Sequence, residues 1–154
     1  MTLEHRATGW LSECFHMQTR ELLLHGLHRY DCTCPAYVLM PDHMHFLLIG
    51  ISPTADQWLL LRFLRQHLTG MLHRHRPGLR LQKHAHDHVL RHSERDRLGV
   101  ERIGRYIAVN PVRAGLVGND SAYPYAGCVL PGFPLVAFWA DDYWDWFWRV
   151  TKIT

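Results

Sequence analysis

The chain has 154 residues, 47% hydrophobic and 20% charged, with 17 Lys and Arg against 14 Asp and Glu. That balance excludes a disordered polyelectrolyte and suits one folded domain with one core. No run of about 18 apolar residues occurs, so no membrane-spanning helix and no membrane partner are expected.

The opening MTLEHRATGWLSECF carries no apolar segment of the secretory type. Its first twelve residues are weakly patterned. Residues 13–29 predict a helix, with Ser12 as N-cap. Residues 33–40 (TCPAYVLM) and 43–49 (HMHFLLI) predict two strands, joined at Pro41-Asp42 by a hairpin turn. A second helix is predicted over 55–75. Thr54 is its expected N-cap, Gln57 completes a capping box, and Leu61, Leu64, Leu68 and Met71 form the apolar stripe. Pro77-Gly78 ends it. Residues 86–91 (HDHVLR) predict a strand and 96–109 a third helix, with Val100, Ile103 and Ile107 inward and Pro111 stopping or restarting it. The tail is turn-rich to Pro134 and then dense in aromatics: Phe138, Trp139, Tyr143, Trp144, Trp146, Phe147 and Trp148. Such a cluster is either a base-stacking platform or a hydrophobic clasp over the domain. The order helix, strand, strand, helix, strand, helix predicts an α+β fold with an antiparallel sheet flanked by helices.

Cys14, Cys32, Cys34 and Cys128 read as reduced thiols of a cytoplasmic protein, because Cys32 and Cys34 stand too close for an ordinary bridge and lack a second pair at zinc-finger spacing. Charge is unevenly spread. Residues 62–113 hold 12 Lys and Arg against 4 Asp and Glu, and the remainder holds 5 against 10. A basic middle between acidic ends favours a polyanionic partner, most simply nucleic acid.

Thirteen histidines make His-x-His pairs cheap: roughly one is expected by chance, by counting on composition, and the chain has four, at 43/45, 73/75, 84/86 and 86/88. Context separates them. His73 and His75 lie on a helix, where residues two apart diverge. His84, His86 and His88 would share a strand face and compete as a transition-metal site. His43 and His45 alternate with Met44 and Phe46 on a strand expected to be central, and project to one side about 6–7 Å apart at Cα. A hard divalent ion also needs oxygen donors. Tyr106 and Asn110, four apart beside the Val100/Ile103/Ile107 stripe, can offer a hydroxyl and an amide oxygen. Asn110 before Pro111 is equally placed to cap a short helix ending at Gly115.

MPDHMHFLL resembles the histidine–hydrophobic–histidine signature of HUH single-strand nucleases. HAHDHVLR followed by RYIAVNPVRAGLV resembles the second half of the bacterial REP-associated tyrosine transposases, single-domain relatives of insertion-sequence transposases. The likeness covers about residues 36–117, and its specificity lies in the two motifs together. It implies a ferredoxin-like sheet with helices on it, whose first strand is weak or missing here: residues 1–12 offer only a poor candidate, and the place is filled by residues 6–12, by another chain, or not at all. It implies one HUH-type domain over 1–154, with 118–154 an aromatic extension packed on it. The implied activity is metal-dependent nicking and strand transfer of single-stranded DNA at hairpin-forming palindromes, through a 5′-phosphotyrosine. The implied nucleophile is Tyr106, and the implied ligands of Mg²⁺ or Mn²⁺ are His43, His45 and Asn110. Arg62, Arg65, Arg91, Arg102, Arg105 and Arg113 are the phosphate-contact candidates as a group. Asp42 adjoins the site without an assigned role. The competing readings are a relative that grips DNA hairpins without cutting, and a histidine-rich metal protein. Monomer and dimer both fit the sequence.

Overall fold

A computed structural model describes residues 1–83, 96–133 and 136–153. The expected strand 86–91, Arg91 and the histidines at 84, 86 and 88 lie outside the described residues. The elements are α1 (Glu13–Arg29), β1 (Cys32–Met40), β2 (His43–Gly50), α2 (Gln57–His75), α3 (Arg97–Ala108), α4 (Asn110–Arg113), β3 (Ala126–Val129) and α5 (Tyr143–Thr151). The fold is α+β, with an antiparallel sheet in the order β2-β1-β3 flanked by helices.

Two corrections concern helix starts. α2 is capped by Asp56, whose carboxylate accepts from Leu59 N at 2.8 Å. The Thr54 hydroxyl instead donates to Asp31 at 2.7 Å, and Gln57 Nε2 to the Leu48 carbonyl at 3.1 Å, so no capping box forms. The turn at Ser52–Thr54 is tied to Asp31, and the next strong capping residue starts the helix. Asn110 is not an N-cap either: Val109 holds φ −84°, ψ 0°, and α3 passes through it into α4. Pro111 sits in the first turn of α4, where its missing N–H has no partner to lose.

A third correction concerns the first strand. Within residues 1–12, Thr2 and Leu3 reach the sheet, as isolated bridges rather than a full strand, and residues 6–12 do not. Thr2 bridges His43, Met44 N donates to the Met1 carbonyl at 2.7 Å, and Leu3 N donates to the Asp42 carbonyl at 3.1 Å. On the other side Leu3 bridges Leu81, and Gln82 N donates to the Thr2 carbonyl at 2.9 Å. Residues 80–82, 1–4, β2 and β1 thus run side by side in the ferredoxin-like order, and β3 adds at the far edge of β1.

Every residue of β1 is buried, as suits a strand covered on both faces. On one face Cys34, Tyr37, Leu39 and Met44 pack with Phe15, Leu23, Leu27, Leu60, Leu64 and Leu68 of α1 and α2. On the other, Ala36, Val38, Met40 and Leu47 pack with Val100 and Ile107 of α3 and Tyr143, Trp144, Phe147 and Trp148 of α5. The tail aromatics therefore serve as core. Tyr143 donates its hydroxyl to the Pro35 carbonyl at 2.7 Å, and Trp148 Nε1 donates to Glu101 at 2.8 Å.

Leu61 and Ile103 are only half-buried, and Leu60 and Gly104 hold the inward positions. Gly104 is required there because a Cβ would enter the Trp144 ring. Gly104→Ala is expected to destabilise the protein by about 1–3 kcal/mol through overpacking, and Gly104→Val by more. Urea denaturation of the two variants measures this.

Candidate active site

β2 alternates. Met44 joins the core beneath α1 and α2, and Leu47 joins the core beneath α3. His43 pairs with Met40 and His45 with Val38, and both partners belong to the α3 side. The two histidines therefore project on the face that α3 covers, their ring centroids 4.8 Å apart. α3, which carries Tyr106 and runs on into Asn110, lies on this side of the sheet, with Val100, Ile107 and Ala108 packed inward. The fold brings together the strand carrying His43 and His45 and the helical path carrying Tyr106 and Asn110.

The ring nitrogens of His43 are distinguishable. Nδ1 lies 2.7 Å from Asp42 Oδ1, and the other Asp42 oxygen lies 2.8 Å from Arg6 Nε. A carboxylate accepts only, so Nδ1 is the donor in this contact and Nε2 is the nitrogen left for another partner. Asp42 thus orients the His43 ring, as carboxylates behind metal-bound histidines do. Arg6 reaches it because His5 and Arg6 both hold φ 54°, in the left-handed region. Two such non-glycine residues cost about 1 kcal/mol or more each and persist only where their surroundings determine them. Nothing in the pattern of residues 1–12 marks Arg6; the signal is tertiary. His45 is half-buried, and burial, followed by the neighbouring His43, pushes its pKa down to about 4, so it is neutral at neutral pH.

Asn110 is half-buried and donates Nδ2 to the Tyr106 carbonyl at 2.8 Å and the Ile107 carbonyl at 3.4 Å. Those two acceptors assign the amide, and Oδ1 has no partner among the described residues. Imidazoles suit borderline ions, and an amide oxygen suits harder ones such as Mn²⁺ or Mg²⁺. Among the described residues no three His, Cys, Asp or Glu side chains form a cluster able to hold a metal, so this set depends on Asn110. Tyr106 is 48% exposed, and the Arg113 guanidinium lies 4.9 Å from its ring centroid. The side chain is thus open to solvent, with a cation beside its ring.

The arginines divide. Arg102, Arg105 and Arg113 are exposed on α3 and α4, the layer of Tyr106. Arg62 is on α2, across the sheet, in an open depression of about 360 Å³ with Arg29, Tyr30, Phe63 and His67. Arg65 is committed to structure: its Nη2 donates to the Gln82 carbonyl at 2.6 Å and the Lys83 carbonyl at 3.4 Å. It secures the segment that bridges Leu3.

Sequence reading also passed over a polar cluster on the far face. The Tyr37 hydroxyl accepts from Arg20 Nη1 at 2.9 Å and lies 2.7 Å from His16 Nε2. Its signal was the His16/Arg20 four-residue step on α1. Burial, then the Arg20 charge, pushes the His16 pKa down to about 4. A histidine whose folded pKa is depressed binds its proton more readily when unfolded. Its contribution is therefore fully present above pH 6.5 and is lost as pH falls from 6.5 toward 4. Denaturation titrations are expected to show stability level above pH 7 and falling by up to about 1.4 kcal/mol per pH unit per histidine within that window. His45 acts in the same direction, and His16→Gln is expected to remove one proton's share.

No described helix is long and apolar enough to cross a membrane. The chain matches no protein-family model, no curated protein and no solved structure.

Proposed function

We propose that the protein is a metal-dependent single-strand DNA nuclease and strand transferase of the HUH tyrosine type, acting beside DNA hairpins through a 5′-phosphotyrosine. The observation that carries this reading is the facing of β2 and α3: His43 and His45 project on the same side of the sheet as exposed Tyr106 and Asn110.

The chain's own groups have separable tasks. Asp42, held by Arg6, orients His43 with Nε2 available, and burial keeps His45 unprotonated. These two imidazoles and Asn110 Oδ1 would hold Mg²⁺ or Mn²⁺. When bound, the ion supplies neutralisation of charge on the scissile phosphate. Tyr106 provides the attacking oxygen. A bond forms from its phenolic oxygen to phosphorus and the bond from phosphorus to the 3′ oxygen breaks; the phenolic proton is released and the 3′ oxygen leaves as a hydroxyl. Arg113, stacked on the Tyr106 ring, adds positive charge where the phosphate must sit. The phosphotyrosine retains a bond of similar energy to the one broken, so rejoining to another 3′ hydroxyl needs no nucleotide cofactor.

The reading is tested by incubating the purified chain with Mn²⁺ or Mg²⁺ and a labelled single strand carrying a hairpin, and resolving products under denaturing conditions. A metal-dependent covalent adduct is expected. Salt-sensitive hairpin binding with no adduct would instead identify a protein that grips DNA without cutting it.

A further inference from the structure

A cavity of about 170 Å³ opens between α3 and the aromatic tail, walled by Arg105, Val109, Asp120, Phe138, Trp139 and Trp144. It is not the void of an imperfect core. Such voids are lined by apolar residues alone, whereas the lining of this one includes Arg105 and Asp120. Arg105 is exposed and, among the described residues, its side chain makes no hydrogen bond or ion pair. Asp120 is half-buried; one oxygen accepts from Ser121 N at 2.9 Å, and the other has no partner among the described residues. Although both border the cavity, they do not pair with each other. The third feature is Trp139, 47% exposed in a tail whose Phe138, Tyr143, Trp144, Phe147 and Trp148 are all buried. An indole left open at the mouth of a cavity offers a stacking surface.

The volume is below that of sites for drug-sized ligands and suits one planar ring system. A carboxylate accepts from paired N–H donors and a guanidinium donates to paired acceptors. Guanine presents both along one edge sequence: N1–H and N2–H₂ as donors, O6 and N7 as acceptors. Thymine and cytosine offer fewer such partners, and adenine lacks the oxygen. The cavity also has an address, since Arg105 directly precedes Tyr106 on α3.

We infer that this cavity is a base-reading pocket that takes one unstacked guanine of a single strand, stacked on Trp139 with its edge held by Asp120 and Arg105. The inference rests on the proposed nuclease reading for the strand from which the base comes. Its consequence is that choice of cleavage site is made in part by protein, next to the nucleophile.

The test is direct binding without added metal, so that no cleavage is involved. Fluorescence anisotropy is measured with labelled five-nucleotide strands of thymine that carry guanine, inosine or adenine at the centre. Wild-type protein is expected to bind the guanine strand about 10-fold or more tighter than the inosine strand, which lacks only the N2 amine. Asp120→Asn keeps an acceptor for Ser121 N and is expected to erase that preference. Trp139→Ala is expected to weaken binding of every strand about 10-fold or more. Equal binding of guanine and inosine strands by wild type overturns the pocket, as does absence of binding to any of them. That contrast needs no variant, so poor folding of Trp139→Ala leaves it decisive. An adduct at Tyr106 without a guanine preference rejects the pocket and leaves the nuclease reading standing. A guanine preference that depends on Asp120, in a protein that forms no adduct, retains the pocket and rejects the nuclease.

Discussion

Tyr106→Phe is expected to yield no covalent adduct with hairpin-bearing single strands, a loss of at least about 10³-fold in rate, because the substitution deletes the attacking oxygen itself. The ring is kept, so its contact with Arg113 survives. The hydroxyl makes no hydrogen bond among the described residues, and the side chain is about half exposed, so stability should change by less than about 0.5 kcal/mol. Affinity for the hairpin should hold as well, since phosphate contacts supply most of it. This combination separates a nucleophile from an interface aromatic. Undiminished adduct formation by the phenylalanine variant would exclude Tyr106 as nucleophile.

The second large effect is expected at the imidazoles. His43→Ala and His45→Ala should each lower metal-dependent cleavage about 10²-fold or more, and the double variant should lose it, since removing either leaves too few donors to compete with water. Asp42→Ala should cost less, about 10- to 100-fold, because it removes the group that orients a ligand and leaves the ligand in place. Calorimetric titration with Mn²⁺ should show the same ranking in affinity. Equal metal affinity in wild type and the double variant would move the metal elsewhere, with the histidines at 84, 86 and 88 as the first place to look. His45→Ala has a further signature. A protonated imidazole is disfavoured at that half-buried position, so the variant should be less sensitive to acid between pH 6.5 and 4 in the metal-free protein.

Much of this architecture was legible in the residues. α1 starts where Ser12 caps it, with the serine oxygen accepting from Phe15 N at 3.2 Å. The hairpin forms at Pro41-Asp42, and the alternation of HMHFLL sends both histidines to one face, because a strand has a period of two. The four-residue step from Tyr106 to Asn110 crosses the junction of α3 and α4, where Asn110 Nδ2 donates to the Tyr106 carbonyl. What escaped reading depended on partners far away in sequence. Met1–Leu3 is too short for periodicity to register, and its two bridges form only because β2 and residues 80–82 offer backbone partners on both sides. β3, the four residues AGCV, carries no pattern beyond its pairing with β1. Arg65 read as a phosphate-contact candidate on α2, and only the path of residues 82–83 shows its Nη2 bonded to their carbonyls. The role of Asp42 required seeing Arg6 arrive from a left-handed turn.

The joint between Gly104 and Trp144 bears on when the protein becomes competent during synthesis. α3 is seated against the sheet by side chains near the end of the chain: Trp144 over Gly104, Trp148 bonded to Glu101, and Tyr143 bonded to Pro35, 108 positions upstream. Contacts of such sequence separation form late, since the intervening loop must close first. As the chain leaves the ribosome, the histidine hairpin can pair long before the helix bearing Tyr106 has anything to rest on. The nascent chain is thus assembled in an order that leaves α3 unseated until α5 emerges, so a truncated product would carry the histidine hairpin without a settled position for Tyr106.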